Sequence, residues 1–204
     1  RAGKQVIRAG AICDINIASI SDPVREASLK DTLDTIDAAV KLDIDRITIH
    51  PGLSSMAVHG IEERYIPYAK ESMKVLEKAA HEYNVTLAIE NMPMMYFYLG
   101  RKASDLQDIV DGTDLNICFD IGHANTSGQI DAMIDTFGDR IANVHIHDNN
   151  GKQDEHLTIG DGNIDFQKVL SRLGSYKGNY VIESKTYESA VESQSRLESL
   201  FSSI

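Results

Sequence analysis

LNICFDIGHAN, residues 115–125, holds the pattern that decides the fold. Leu115 to Asp120 is a short, largely apolar run that ends on a carboxylate and then breaks at Gly122. A run of this length, bounded by turn residues, reads as a buried strand. The same shape recurs at Val6–Cys13, Arg46–His50, Val85–Glu90, Ile141–His145 and Tyr180–Glu183. These runs are rich in Val and Ile and mostly continuous rather than alternating. Strands covered on both faces look like this, and such strands belong to parallel sheets.

Between the runs lie longer amphipathic segments. Asp22 and Pro23 open a helix over Val24–Leu42, with Leu29, Leu33, Ile36, Ala39 and Val40 on one face. Further helices are expected over Ile61–Tyr83, Ser104–Val110, Gln129–Phe137, Phe166–Leu173 and Glu188–Phe201. Strand–helix alternation predicts an α/β fold with right-handed crossovers. Six strands fall short of the eight of a closed (β/α)8 barrel, which typically takes about 250 residues. The expectation is therefore one barrel domain over residues 1–204, N-terminally incomplete, with roughly its first two βα units missing. A six-stranded open sheet is the alternative.

Composition narrows the partners. The 204 residues are 42% hydrophobic and 25% charged, ordinary for a globular chain. No apolar run is long enough to suggest a membrane span. The formal net charge of −11 disfavours nucleic acid, whose affinity rests on Lys and Arg neutralising phosphates. The two cysteines, Cys13 and Cys118, do not suggest a disulfide framework and fit a reducing cytoplasm.

Five strand ends carry a residue able to bind metal: His50 in ITIHPG, Glu90 in LAIENMP, Asp120 in ICFDIGHAN, His145 in NVHIHDN and Glu183 in YVIESKT. Their spacing is about one βα unit each. In a parallel barrel all these ends open on one face, where such barrels keep their active sites. One polar strand end is ordinarily just a satisfied polar group. Several carboxylates converging on one point repel and are costly to desolvate, and a divalent cation removes that cost. Imidazole mixed with carboxylate suits Zn, Mn, Co or Fe. No organic cofactor is indicated.

These motifs, above all IENMP, FDIGHAN, VHIHDNNG and DEHLTIGDGNIDF, resemble the xylose isomerase-like TIM barrel superfamily, which includes sugar isomerases, epimerases and endonuclease IV. The similarity runs from DINIAS near the start to YVIES near the end. In its sugar branch the resemblance implies one divalent metal on Glu90, Asp120, His145 and Glu183, with His123 contacting substrate. It implies a sugar or sugar-phosphate isomerase or epimerase of carbohydrate metabolism, transferring a proton through a metal-stabilised enediolate. Glu90 and Glu183 would be the acid/base pair. The endonuclease IV branch would instead use His50, Glu90, Asp120, His123, His145, Asp154, His156 and Glu183 in a three-zinc cluster that hydrolyses phosphodiesters at abasic DNA sites. That branch has a further histidine near Arg8–Ala11, where this chain has none. A barrel that binds a small molecule without turnover is the third reading.

The expected partner is a sugar or sugar phosphate, with nucleic acid the lesser alternative, no membrane, and a homodimer left open. His147 shares the face of His145 and is read as a further metal ligand, a substrate contact or a solvated loop histidine. Asp154 and His156 are read as additional metal or substrate groups, or as a pair anchoring their loop. Lys185 is read as a contact to an anionic substrate group, or as an ordinary surface lysine. Gly160, Gly162 and Asn163 form either a phosphate-binding turn or a plain one. His59 and His81 are assigned to the exposed surface. Met92 to Tyr98 is assigned to buried packing, with a pocket wall or a partner-covered surface as the alternatives.

Overall fold

The computed structural model describes residues 6–8 and 15–203. Its strands are β1 (Val6–Arg8), β2 (Arg46–Ile49), β3 (Thr86–Glu90), β4 (Asn116–Asp120), β5 (Ile141–Ile146) and β6 (Tyr180–Ile182). All five neighbouring pairs are parallel, and the sheet runs β1-β2-β3-β4-β5-β6 in chain order. Each strand is thus followed by a crossover to its neighbour, the winding of a TIM barrel wall. The segment containing Cys13 and the Ala9–Ala11 stretch, where the further histidine is expected, lies outside the described residues.

The helices are α1 (Asp22–Lys41), α2 (Ile66–Tyr83), α3 (Ala103–Val110), α4 (Ile121–Thr126), α5 (Ile130–Phe137), α6 (Phe166–Arg172) and α7 (Tyr187–Ser203). Two departures from the sequence reading stand out. The segment expected as a single helix from Ile61 is a 3₁₀ turn, Glu62–Arg64, followed by α2, because Pro67 sits in the first turn of α2. The short helix α4 follows β4 directly. It exists because the Asp120 side chain accepts the His123 backbone N–H at 2.7 Å and so caps it.

Along each strand the side chains alternate. Ile47, Ile49, Leu87, Ile89, Ile117, Phe119, Val144 and Ile146 belong to the apolar core. The alternate positions are Thr48, Ala88, Glu90, Cys118, Asp120, Asn143 and His145, all buried. Since neighbouring residues of a strand point to opposite faces, this second row lies on the other side of the sheet. Asn143 Nδ2 joins it laterally, donating to Thr48 Oγ1 at 3.2 Å and Cys118 Sγ at 3.4 Å. An irregularity between Ile117 and Cys118 shifts the β4–β5 register, so that Asp120 comes level with His145.

Helix α2 ends at Asn84, which holds the left-handed conformation at φ 53°. Asparagine tolerates that conformation and alanine does not. Asn84→Ala is expected to cost about 1 kcal/mol, read as a lower urea midpoint, whereas Asn84→Gly leaves the midpoint unchanged. Equal midpoints for all three proteins would contradict the cap assignment.

Candidate metal centre

Glu90 and Asp120 are the last residues of β3 and β4, His145 lies near the end of β5, and Glu183 follows β6. One donor atom from each of these four lies within 4.8 Å of those of the others. His145 Nδ1 is their meeting point. It lies 3.0 Å from Glu90 Oε1, 3.1 Å from Glu183 Oε1 and 3.7 Å from Asp120 Oδ2. Glu90 is only 2% exposed and Asp120 and His145 are fully buried, while the Glu183 side chain keeps 21% of its surface open. The centre therefore has a sealed floor and one accessible wall.

Each glutamate has a second oxygen facing another histidine. Glu90 Oε2 lies 3.1 Å from His50 Nε2, and Glu183 Oε2 lies 3.6 Å from His156 Nδ1. His50 also meets the Tyr98 ring edge-on at 6.5 Å. A second cluster adjoins the first: His123, His147, Asp154 and His156 bring one donor atom each to within 4.8 Å of one another. Asp154 sits between the imidazoles, with Oδ2 at 3.1 Å from His156 Nε2 and 3.4 Å from His123 Nε2, and Oδ1 at 3.4 Å from His147 Nε2.

The electrostatics follow from this crowding. Burial works against protonation of His145, yet Glu90 and the groups around it raise its affinity for a proton well above the ordinary value. His123 behaves alike: burial opposes its charge, but Asp120, Asp154 and Glu90 push it up to about 10. Burial likewise opposes ionisation of Glu90 and Asp120; His145 and His50 in the first case, and His123 and His147 in the second, hold them low. Protons thus stand where a cation would otherwise balance the carboxylates. Four buried atoms of the two clusters still lack hydrogen-bond partners: Asp120 Oδ2, His145 Nε2, His147 Nε2 and Asp154 Oδ1. Orphaned buried acceptors are costly, and a divalent cation is the partner their chemistry fits.

Groups that bear no donor to the centre hold it in place. The Asn91 amide accepts the Asp120 N–H at 2.8 Å and donates to the Asp120 carbonyl at 2.9 Å, locking the ends of β3 and β4 together. Asp148 is fully buried. Its Oδ2 accepts the N–H groups of Gly160 and Gly162, both at 2.9 Å, and its Oδ1 accepts those of Asn149 at 2.9 Å and Ile164 at 3.3 Å. The Asp148 backbone pairs with Leu157, closing the loop that carries Asp154 and His156. A Cβ on Gly162 would come within 2.3 Å of Asp148 Oδ1, so only glycine fits there.

These contacts bear on several sequence readings. The N–H groups of Gly160 and Gly162 are taken by Asp148, so the turn offers them to no phosphate. His147 is fully buried, which removes the solvated-loop alternative. Lys185, His59 and His81 are exposed, and His59 stacks on Tyr96 at 3.7 Å between ring centroids. Met92, Phe97 and Tyr98 are buried, but Met94 and Met95 are each 45% exposed, so that loop is only partly packed. Asn91 and Asp148 were missed; their signal was a polar residue next to or just beyond a strand-end ligand.

The chain is 36% identical over 196 residues to the uncharacterized protein MJ1311 of Methanocaldococcus jannaschii, covering 89% of this chain and 64% of that relative's length. It therefore spans less than two thirds of that relative. A probable endonuclease 4 of Acholeplasma laidlawii is 27% identical over 148 residues, 64% of this chain and 49% of its own. Among solved structures, a D-tagatose 3-epimerase-like protein superposes with a TM-score of 0.89 at 32% identity, covering 98% of this chain and 77% of that one. The profile of the xylose isomerase-like TIM barrel family matches residues 3–200, and the chain belongs to that family.

Proposed function

We propose that this protein is a divalent-metal-dependent isomerase or epimerase of a sugar or sugar phosphate. The observation that carries the reading is the placement of Glu90 and Glu183. They come from the non-adjacent ends of β3 and β6, yet each brings an oxygen to within 3.1 Å of the same His145 Nδ1. Two carboxylates brought to one point from separate strands are what proton transfer to and from a planar intermediate requires.

Glu90, Asp120, His145 and Glu183 would hold the cation. When bound, it supplies Lewis-acid polarisation of a substrate carbonyl, which acidifies the neighbouring C–H. One glutamate takes that proton, and the other, as the acid, returns a proton to the opposite face, inverting the carbon. His50 and His156 orient the outer oxygens of the two glutamates. The buried floor excludes water from the proton path, and the open side at Glu183 admits substrate. The D-tagatose 3-epimerase-like neighbour supports the sugar class.

The test is incubation of the full-length protein with Mn²⁺ and a panel of ketoses and aldoses in D₂O. Deuterium is expected at the carbon beside the carbonyl of at least one sugar, with incorporation lost in Glu183→Gln. A panel that stays unlabelled while the cation is demonstrably bound would refute the reading.

A second reading, phosphodiester hydrolysis at abasic sites in DNA, is favoured by the His123, His147, Asp154 and His156 cluster and by the endonuclease 4 relatives. The net charge of −11 weighs against it. Incision of an abasic duplex that disappears in His50→Ala would establish it.

A further inference from the structure

We propose that Tyr98 is a specificity-determining residue, whose phenol hydroxyl donates to one oxygen of the sugar lying over the Glu90 centre. This rests on the sugar isomerase or epimerase reading and names the group that tells one sugar from another. The strand-end pattern gives Tyr98 no part, because it stands eight residues past Glu90 in the loop after β3.

The residue is only 8% exposed, so its ring is a wall. That ring meets the His50 imidazole edge-on, at 6.5 Å between centroids and 89° between planes, and packs against Phe97 at 4.7 Å. His50 in turn lies 3.1 Å from Glu90 Oε2, which puts Tyr98 one side chain away from the proposed acid/base pair. The hydroxyl is unused. It has no hydrogen-bond partner among the described residues, yet it is not one of the sealed, orphaned atoms. Buried tyrosines ordinarily find a partner for the hydroxyl. If packing were the only task, phenylalanine would serve, as Phe97 does beside it. Burial, and then the charges of Asp154 and Glu90, raise the hold of this phenol on its proton. The hydroxyl therefore lies in the field of both clusters and remains a donor.

The backbone holds the ring in place. Tyr98 pairs antiparallel with Leu53 of the loop after β2. The Leu99 N–H donates to the Gly52 carbonyl at 3.2 Å, and the Ser54 N–H to the Phe97 carbonyl at 2.7 Å. Gly52 sits at φ 115°, and a Cβ there would come within 2.5 Å of the Ala18 Cβ, so the partner loop has one path. A donor fixed in advance costs little ordering on binding. It also discriminates: a sugar that turns its hydroxyl elsewhere leaves the tyrosine unpaired.

The experiment is calorimetric titration of the full-length, Mn²⁺-loaded protein with a panel of ketoses and aldoses that includes all four D-ketohexoses, which differ only in configuration at two carbons. The wild type is expected to bind them unequally. In Tyr98→Phe the tightest-binding sugar should lose about three- to tenfold in affinity, the value of one hydrogen bond, and the weaker ones less. Mn²⁺ affinity and the urea midpoint should stay at their wild-type values. Unchanged sugar affinities would overturn the role of Tyr98. So would an equal loss for every sugar accompanied by a lower urea midpoint, since that marks a packing residue. A wild type that holds Mn²⁺ but binds no sugar of the panel would overturn the sugar reading itself, and the role of Tyr98 with it, a result distinct from both.

Discussion

Glu90→Gln will bind its divalent cation at least about 100-fold more weakly than the wild type, and turnover will fall with it. Losing a group that merely orients a metal ligand typically costs 10–100-fold in affinity, so losing a ligand sets the upper end of that range as the floor. Glu90 is more than one ligand among four. Its Oε1 contacts His145, its Oε2 contacts His50, and His123 Nδ1 lies 3.6 Å away. The amide keeps the shape and removes the charge, so three imidazoles lose the anion that faces them. As half of the proposed acid/base pair, Glu90 also carries a general-base contribution of about 10²- to 10⁴-fold. Calorimetric titration with Mn²⁺ reads the first effect and deuterium exchange the second. The pH dependence has a definite sign: His123 and His145 hold protons more tightly than free histidines do. A cation must displace those protons, so wild-type affinity should rise as the pH rises. Wild-type cation affinity in Glu90→Gln would contradict the placement of the centre.

Asp148→Ala is the second large effect, and it acts on the fold. Four backbone N–H groups end on this one buried carboxylate. Leaving even two buried donors unpaired, at about 1–3 kcal/mol each, predicts a loss of roughly 2–6 kcal/mol. The loop from Leu157 to Ile164 would lose its anchor, and Asp154 and His156, which precede it, would lose their aim. Urea unfolding should show the drop in midpoint. Asp148→Asn, which keeps a single acceptor oxygen, should fall between the two. A midpoint like that of the wild type would show that Asp148 does not clamp the loop.

The alternation of short apolar runs with amphipathic segments was legible because strand and helix periods are local properties. Each run carries its own signal, and parallel pairing in chain order follows from the crossovers. The inward row was harder to read. Ala88, Cys118 and Thr48 are small and neutral, so strands with one apolar face and one small or polar face looked continuously apolar. Helix α4 escaped because its six residues carry too little periodicity; it forms because Asp120 caps it.

Taken alone, the sequence determined that Glu90, Asp120, His145 and Glu183 stand at or near strand ends and that parallel strands turn those ends to one face. The strand period and the handedness of crossovers are enough for that. Only the tertiary structure decided that His147 is buried against His156, that Asp148 takes the N–H groups of Gly160 and Gly162, and that Asn91 ties β3 to β4. Those contacts join loops to strand ends far along the chain. Local periodicity carries no information about them, since they form only when packing brings the segments together.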